Sequence, residues 1–432
     1  MPKKILMCGC GRWPDESHLP TIAKDPEISL ECVVELERNR DEVQQRLGRY
    51  GLKPRLVLIE PETPVTEIGI DLDNIDAAIV ASPTRYHKEY AKWLLGKGLH
   101  VLVDKPLTVP TAKDFLTNPE ASDDFIRDFN ELGSLAQGKL FMLGTHRRYQ
   151  RISQHTADLI KNYQTEKGHR FVHNVNAITA DGYWIVPEFL GDAYISDAKG
   201  SEHGTGYYGG KLTHTGYHLL DLVPWLMRHA EPKIDRAEVY VIPFTPKDSA
   251  FLAGAEGKFA NYPDINANML VGFNYKGHNV STFSLAALHE GFSRRTTFTG
   301  VDREGRTKFE EITINQGPRA GYVLRRYAKF LNEKTAGCGG VDHQTLDIFG
   351  GDIPLVTENL GYDTGNEGPT TDFFRALKSG DYSDVLAPVY DQSIAIKLLA
   401  AAYKCMVKRL QGDISPVILG FGENEWRMPP GR

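Results

Sequence analysis

The stretch KILMCGCG, at residues 4–11, decides the fold of the first part of the chain. Residues 4–8 form a short apolar run typical of a buried strand, and Gly9 and Gly11 follow it directly. Glycines at this place allow a tight turn and let backbone N–H groups approach a pyrophosphate. Pro14 replaces the third glycine of a G-x-G-x-x-G pattern, so a plain glycine-rich turn is the alternative interpretation.

Further apolar runs follow this turn and alternate with helix-like segments. Strands are predicted at 29–36, 75–81 and 100–103, and amphipathic helices at 39–49 and 86–97. Continuous apolar strands separated by helices indicate a parallel sheet that is covered on both faces. Crossovers of this kind are right-handed, so the sequence predicts a doubly wound α/β domain.

The pattern changes after about residue 150. Alternating strand candidates now dominate, at 171–179, 237–244, 266–275, 278–285 and 295–299. Few helices separate them, which favours an antiparallel sheet. Flanking helices are predicted at 152–162, 219–228, 322–332 and 391–410. Glycine- and proline-rich stretches at 181–210, 246–265 and 334–369 are predicted to be long loops, and we expect at least one to cap a site.

Composition excludes several classes of protein. The chain has 432 residues, 41% hydrophobic and 25% charged, and a net charge of −6. This length suggests roughly two or three domains, and the apolar fraction excludes a disordered or low-complexity protein. The mild acidity gives no reason to expect a nucleic-acid partner. Five cysteines without paired spacing, no signal peptide and no membrane-length apolar run lead us to expect a cytoplasmic protein without a membrane partner.

An acidic residue ends the second predicted strand. Glu35 lies 24 residues after Gly11. A carboxylate there can accept both ribose hydroxyls of an adenosine and repel a 2′-phosphate, which favours NAD over NADP. Arg38 and Arg40 follow closely and could instead bind a 2′-phosphate, and an ordinary solvated strand end is the third possibility.

Polar groups also follow the next two strands. Ser82-Pro83 with His87 comes after one strand, and Asp104-Lys105-Pro106 comes after the other. Open α/β sheets bind ligands at the carboxyl ends of their strands. Lys105 is therefore predicted to face the cofactor crevice, although a single lysine before proline is also common in turns.

The segment GGKLTHTGYHLLD, at residues 209–221, concentrates ionisable groups. If it is helical, His214 and His218 share a face, and Asp221 lies three residues further on. These residues could bind a metal, act as acid/base groups beside a substrate, or form a buried hydrogen-bonded pair. No HExxH pattern or cysteine ligand supports a metal, so none is predicted.

Taken in order, these motifs resemble the Gfo/Idh/MocA family of oxidoreductases over roughly residues 1–410. The match includes the GCG turn, Asp104-Lys105-Pro106 in place of the usual Glu-Lys-Pro, Thr145 to Tyr149, and the segment 209–221. The resemblance implies an NAD(P)-binding Rossmann domain, placed at 1–147. It also implies a substrate-binding and oligomerisation domain at 148–432, with a large, open, mostly antiparallel sheet.

The resemblance also assigns site residues. Lys105 and His218 match the catalytic lysine and histidine, and His214, placed with them, stands where most members have aspartate. The cofactor-binding set is Gly9, Cys10, Gly11, Arg12, Trp13, Glu35, Ser82, Pro83, His87, Asp104 and Lys105. Apart from the resemblance, the substrate side is predicted to include Arg148, Tyr149, Tyr183, Trp184 and Asp221. Aromatic faces and arginine forks suit a polyol or a charged sugar, and burial in the core is the competing role for the first four.

The expected function is hydride transfer between NAD and a secondary alcohol of a sugar, an inositol or a sugar derivative. The first alternative is a glycoside-cleaving enzyme of the same fold that oxidises the sugar transiently. The second is a regulator that senses a nucleotide without catalysis. The expected partners are a small-molecule substrate and further copies of the chain, giving a homodimer or homotetramer through the C-terminal sheet.

Overall fold

A computed structural model describes most of the chain. The described residues are 1–61, 63–109, 118–167, 170–181, 212–244, 266–288, 292–301, 308–317, 321–330, 356–359 and 365–428. The long loops predicted at 181–210 and 246–265 lie almost entirely outside these residues, as does most of 334–369.

The first sheet has six parallel strands in the order β3-β2-β1-β4-β5-β6. They are β1 (Lys3–Cys8), β2 (Ile28–Leu36), β3 (Arg55–Ile59), β4 (Ala77–Val80), β5 (His100–Val103) and β6 (Phe141–Leu143). The associated helices are α1 (Arg12–Glu16), α2 (His18–Lys24), α3 (Arg40–Arg49), α4 (His87–Gly96) and α5 (Asp124–Leu135). The predicted doubly wound sheet is confirmed, with β3 and β6 in addition to the predicted strands.

Successive side chains of β1 point to opposite faces of this sheet. Ile5 and Met7 pack with residues of α2 and α3, whereas Leu6 and Cys8 pack with residues of α4 and α5. Both faces are therefore covered, which is why the central strands are continuously apolar.

The second sheet has nine strands in the order β14-β13-β12-β11-β7-β10-β9-β8-β15. They are β7 (Arg170–Asp181), β8 (Arg236–Phe244), β9 (Asn266–Tyr275), β10 (His278–Leu288), β11 (Phe292–Val301), β12 (Lys308–Gly317), β13 (Gly321–Phe330), β14 (Val356–Asn359) and β15 (Val417–Gly420). All neighbours are antiparallel except β7 and β10, which are parallel. The predicted large, mostly antiparallel sheet is confirmed.

Two local predictions in this region are wrong. The segment 322–332 was predicted as a helix, but 321–330 is strand β13, paired on both sides with β12 and β14. Its apolar residues satisfy a helical period, yet its aromatic and β-branched residues suit a strand once neighbours supply the pairing. Strand β14 also lies inside the predicted loop 334–369, and α8 (Gly368–Ser379) begins just before its end.

The remaining helices are α6 (Arg151–Lys167), α7 (Tyr217–Arg228) and α9 (Ser393–Leu410). Helices α7 and α9 cover the inner face of the second sheet, and α9 also packs on α5, where Phe125 stacks on Tyr403. Helix α8 packs against the first sheet through Phe373 and Phe374, far along the chain from that sheet. The domain boundary at 147 stays a prediction. In the described part of the chain, no helix is long and apolar enough to cross a membrane.

Candidate active site

The turn after β1 lies against the end of β4, where the strand order of the first sheet reverses. Gly9 has a φ of +91°, and a Cβ there would lie 2.6 Å from the Ala81 carbonyl oxygen and from the Ser82 backbone. Only glycine permits this close approach. The position between β1 and β4 is where open α/β sheets bind ligands, so the turn stands at the expected cofactor crevice.

Glu35 reaches this turn from the end of β2. Its Oε2 accepts a hydrogen bond of 2.8 Å from the Cys10 N–H, and its Oε1 accepts bonds from the Leu36 N–H and from Asn39. A carboxylate has about four acceptor positions, so these three bonds leave capacity for a ribose hydroxyl. Arg40, by contrast, donates two hydrogen bonds, of 2.9 and 3.0 Å, to the carboxylate of Glu37.

His87 joins the two loops that follow β4 and β5. Its ring is 2% exposed, with Nδ1 2.8 Å from the Pro106 carbonyl oxygen and Nε2 2.7 Å from that of Ser82. Burial lowers the pKa of His87, although both carbonyls oppose this. His87 thus holds together the two loops that border the crevice.

Asp104 ties the end of β5 to the first two helices. Its Oδ1 accepts a hydrogen bond of 3.1 Å from the Trp13 indole N–H and lies 3.2 Å from His18 Nε2. The other ring nitrogen of His18 lies 2.6 Å from the Thr370 hydroxyl of α8. Asp104 therefore holds Trp13 in the crevice, and His18 connects that contact to the C-terminal part of the chain.

Lys105 comes next and is half-buried. Burial lowers its pKa to about 8, Arg147 acts in the same direction, and Asp104 acts against it. A lysine with a pKa in this range can hold a proton or release one near neutral pH.

His218 enters the site from α7. It is the second residue of that helix, directly after the turn Leu212–Gly216, and is 4% exposed. His214 lies in that preceding turn, and its side chain is outside the described residues.

Asp221, one helical turn after His218, anchors α7 to the core. It pairs with Arg148, whose Nε lies 3.1 and 3.0 Å from the two carboxylate oxygens. Arg148 also donates to the Leu386 carbonyl at 2.9 Å. Burial raises the pKa of Asp221, and the attraction of Arg148 opposes this shift. Both residues are 1% exposed, so the ion pair lies in the interior of the protein.

His146 is a site residue to which the sequence motifs assign no role, although it lies in the matched segment Thr145 to Tyr149. It opens the turn His146–Tyr149 after β6, and its ring lies 4.4 Å from that of His218 and 5.2 Å from that of Trp13, between centroids. A Cβ at Gly365 would lie 2.5 Å from the His146 carbonyl oxygen, so the backbone at Gly365 packs tightly against this turn. The signal was available, because His146 follows a strand at the same sheet edge as Lys105.

The other predicted site residues take different positions. Tyr149 donates to Asp372 at 2.8 Å, and Arg12 pairs with Glu16 at the surface. Tyr183 and Trp184 lie outside the described residues. Among the residues that are described, no three His, Cys, Asp or Glu side chains come together as a metal site requires.

The crevice suits a dinucleotide on two structural grounds. The Ser82 hydroxyl is buried at the end of β4 with no hydrogen-bond partner in the described part of the chain. Apart from Gly11 itself and its neighbours along the chain, no described atom lies within 4 Å of a Cβ built at Gly11, so the turn is open in front of that residue. An unsatisfied hydroxyl beside an open glycine turn fits a polar ligand such as a pyrophosphate.

Comparison with protein-family models gives a match to the N-terminal region. Residues 3–122 match the family model described as "Oxidoreductase family, NAD-binding Rossmann fold". The model is that of the Gfo/Idh/MocA family, so the resemblance inferred from the motifs is confirmed by a sequence match over the N-terminal region. No curated protein matches the chain.

Solved structures share the fold over nearly the whole chain. The scyllo-inositol dehydrogenase of Lactobacillus casei, with bound NAD(H) and scyllo-inositol, is 15% identical, covering 97% of this chain and 99% of that one, with a TM-score of 0.59. The aldose-aldose oxidoreductase of Caulobacter crescentus, complexed with glycerol, is 14% identical over 98% and 100%, with a TM-score of 0.59. A 3-ketoreductase from Actinomadura kijaniata, in complex with NADP, is 16% identical over 93% and 97%, with a TM-score of 0.56. At these identities the likeness establishes the fold.

Proposed function

We propose that the protein is an NAD-dependent oxidoreductase acting on a secondary alcohol of a sugar, an inositol or a sugar derivative. One observation carries this proposal. The series of ring contacts from Trp13 through His146 to His218 joins the cofactor turn of the first sheet to the buried start of α7. A substrate beside His218 would therefore lie next to the cofactor crevice.

His218 is the proposed base. Bound NAD would supply the acceptor for the hydride that leaves the carbon carrying the alcohol. The hydroxyl proton passes to an imidazole nitrogen of His218, because histidine has an ordinary pKa near the operating pH, about 6.5. The buried position of the ring excludes water from this transfer.

Lys105 is the proposed electrostatic partner. Its ammonium group stabilises the negative charge that develops on the substrate oxygen as the proton leaves. With its pKa lowered to about 8 by burial, Lys105 can also share the proton with the substrate near neutral pH. His214 is proposed to contact a neighbouring hydroxyl or to relay the proton.

Arg148 and Asp221 are proposed to position His218 rather than to contact substrate. Their buried ion pair joins α7 to the turn that carries His146, so it sets the distance between the two imidazole rings. This revises the substrate-side role expected for both residues. Tyr149, Tyr183 and Trp184 remain proposals for the substrate side.

NAD is the proposed cofactor because Glu35 points its carboxylate at the cofactor turn. The carboxylate that accepts the hydrogen bond from the Cys10 N–H is negatively charged and would repel a 2′-phosphate. Arg40 pairs with Glu37 only at the surface, so Arg38 and Arg40 remain the competing case for NADP.

Turnover with a panel of inositols, aldoses and glycosides tests this function. We expect at least one polyol to give NADH, which is measured by its near-ultraviolet absorbance. His218→Asn and Lys105→Ala should each lower the rate of the chemical step by about 10²–10⁴ with unchanged NAD affinity. His278→Asn, at an exposed hairpin position, is the control and should retain full activity.

The same panel separates the alternatives. Glycoside cleavage without net NADH, by protein that retains its nucleotide on desalting, would favour the glycoside-cleaving enzyme, which gains no support from the described geometry. NAD binding without reduction on any substrate would favour a nucleotide-sensing regulator.

We also propose that the outer face of the second sheet pairs with another copy of the chain. Tyr240 and Leu270 are cross-strand partners on this face, 37% and 45% exposed, and Ile242 and Ile418 extend it. The opposite face is buried by α7 and α9. An exposed apolar patch on a sheet is a typical interface. Leu270→Glu should lower the molar mass measured by light scattering if this face forms the contact.

A further inference from the structure

His146 and His218 form a close pair of imidazole rings. Their centroids are 4.4 Å apart and their planes meet at 69°. The two residues are 5% and 4% exposed, so water has little access to either ring. On its other side His146 packs against Trp13. The His146 ring is thus held between the indole and the second imidazole.

The surroundings of His146 disfavour a charge on its ring. Burial removes water, and Arg147 and Lys105 act on it as positive charges, so the pKa of His146 falls well below its ordinary value. In addition, Nδ1 of His146 is buried and has no hydrogen-bond partner among the described residues. Packing between Trp13 and His218, rather than a hydrogen bond at this atom, therefore holds the ring.

Two charged rings at this distance would repel each other strongly. With the centroids 4.4 Å apart and an effective dielectric constant of about 20, the doubly protonated pair is disfavoured by a factor of order 10²–10³. Sites coupled this strongly titrate as a unit, so the second proton is taken up only at much lower pH.

We propose that His146 is a positioning residue for His218, and that the two rings form a pair that holds one proton, carried by His218. The catalytic meaning of this inference rests on the proposed function. A neutral His146 fixes the orientation of the His218 ring and makes His218 the member of the pair that takes the hydroxyl proton. The charged or titratable groups described around His146 are Lys105, Arg147 and His218.

Nuclear magnetic resonance of the full chain with isotope-labelled histidine tests the pair without cofactor or substrate. His146→Gln and His218→Asn identify the two signals. Between about pH 9 and pH 5 we expect His218 to take up a proton while His146 stays neutral. Protonation of His146 first, of both rings by pH 5, or of neither ring would each overturn the proposal.

The positioning role has a matched control at the far end of α7. His229 is partly buried and also lies against a tryptophan, with its ring 4.9 Å from that of Trp225. We expect His146→Gln to raise the proton affinity of His218 about threefold or more, because the smaller amide admits water to the ring. His229→Gln should leave it unchanged. An equal shift in both variants, or none in His146→Gln, would reject the role.

If His146→Gln does not fold, His146→Phe replaces it for the assignment, because phenylalanine keeps a flat ring against Trp13. The wild-type titration then still decides the order of protonation. Since turnover is not measured, the inference can fail while the proposed oxidoreductase activity holds, and the reverse is also possible.

Discussion

Arg148 and Asp221 form a bidentate ion pair in the interior, with the Arg148 Nε 3.1 and 3.0 Å from the two oxygens of Asp221. The guanidinium comes from the turn after β6 and the carboxylate from α7. Two segments 73 residues apart in the chain are therefore fixed to each other beside His146 and His218.

Breaking this pair should destabilise the protein strongly. Arg148→Ala leaves the carboxylate of Asp221 buried without its counter-charge, which costs about 3–5 kcal/mol. Urea unfolding followed by circular dichroism would measure the loss. Arg40→Ala breaks the exposed pair with Glu37 and should cost about 0–1 kcal/mol. Equal losses in the two variants would contradict a special role for the buried pair.

Lys105 should make stability depend on pH in an unusual direction. Its pKa falls from 10.5 to about 8 on folding, so the folded state binds fewer protons than the unfolded chain between these values. The cost of burying the charge is full below about pH 8 and fades as the pH rises toward 10.5.

Lys105→Met should therefore raise the melting temperature at pH 7 while abolishing the proposed activity. The stability difference from wild type should shrink between about pH 8 and pH 10.5. Melting curves at several pH values measure both effects. Lys139→Met, a change at an exposed lysine, serves as the control and should show no such pH window. A constant difference at every pH would show that packing, rather than charge, is the cause.

Glu35→Gln tests the cofactor preference. The amide oxygen can still accept the Cys10 N–H, but the negative charge that repels a 2′-phosphate is lost. We expect the ratio of NADP to NAD affinity to rise about tenfold, measured by calorimetric titration. Glu31→Gln, earlier on the same strand, should leave the ratio unchanged. If Glu35→Gln leaves it unchanged as well, the carboxylate does not select the cofactor.

Gly9→Ala should damage the turn that forms the crevice. A methyl group there meets the Ala81 and Ser82 backbones at 2.6 Å, and the φ of +91° adds strain. Gly51 has a φ of +68°, but nothing described lies within 4 Å of its Cβ position. Gly51→Ala therefore reports the strain alone, about 1 kcal/mol. Chemical unfolding should show a clearly larger loss for Gly9→Ala.

Much of the architecture follows from local patterns in the chain. The apolar run before Gly9 and the further apolar runs after it predicted the parallel sheet, since strands buried on both faces must be continuously apolar. The same reasoning failed at 322–332, where a helical period and strand-forming residues coexist. There the pairing with β12 and β14 decided the outcome, because long-range hydrogen bonds override a weak local preference.

The sequence by itself determined the two sheets and the order of polar groups at the strand ends, because both depend on periodicity and on residues close together in the chain. Only the tertiary structure decided that Arg148 and Asp221 occupy each other, and that His146 lies against His218. Burial and charge act through space, and residues separated by 72 positions share an environment that no local pattern records. The protonation proposed for the site is therefore a property of the fold.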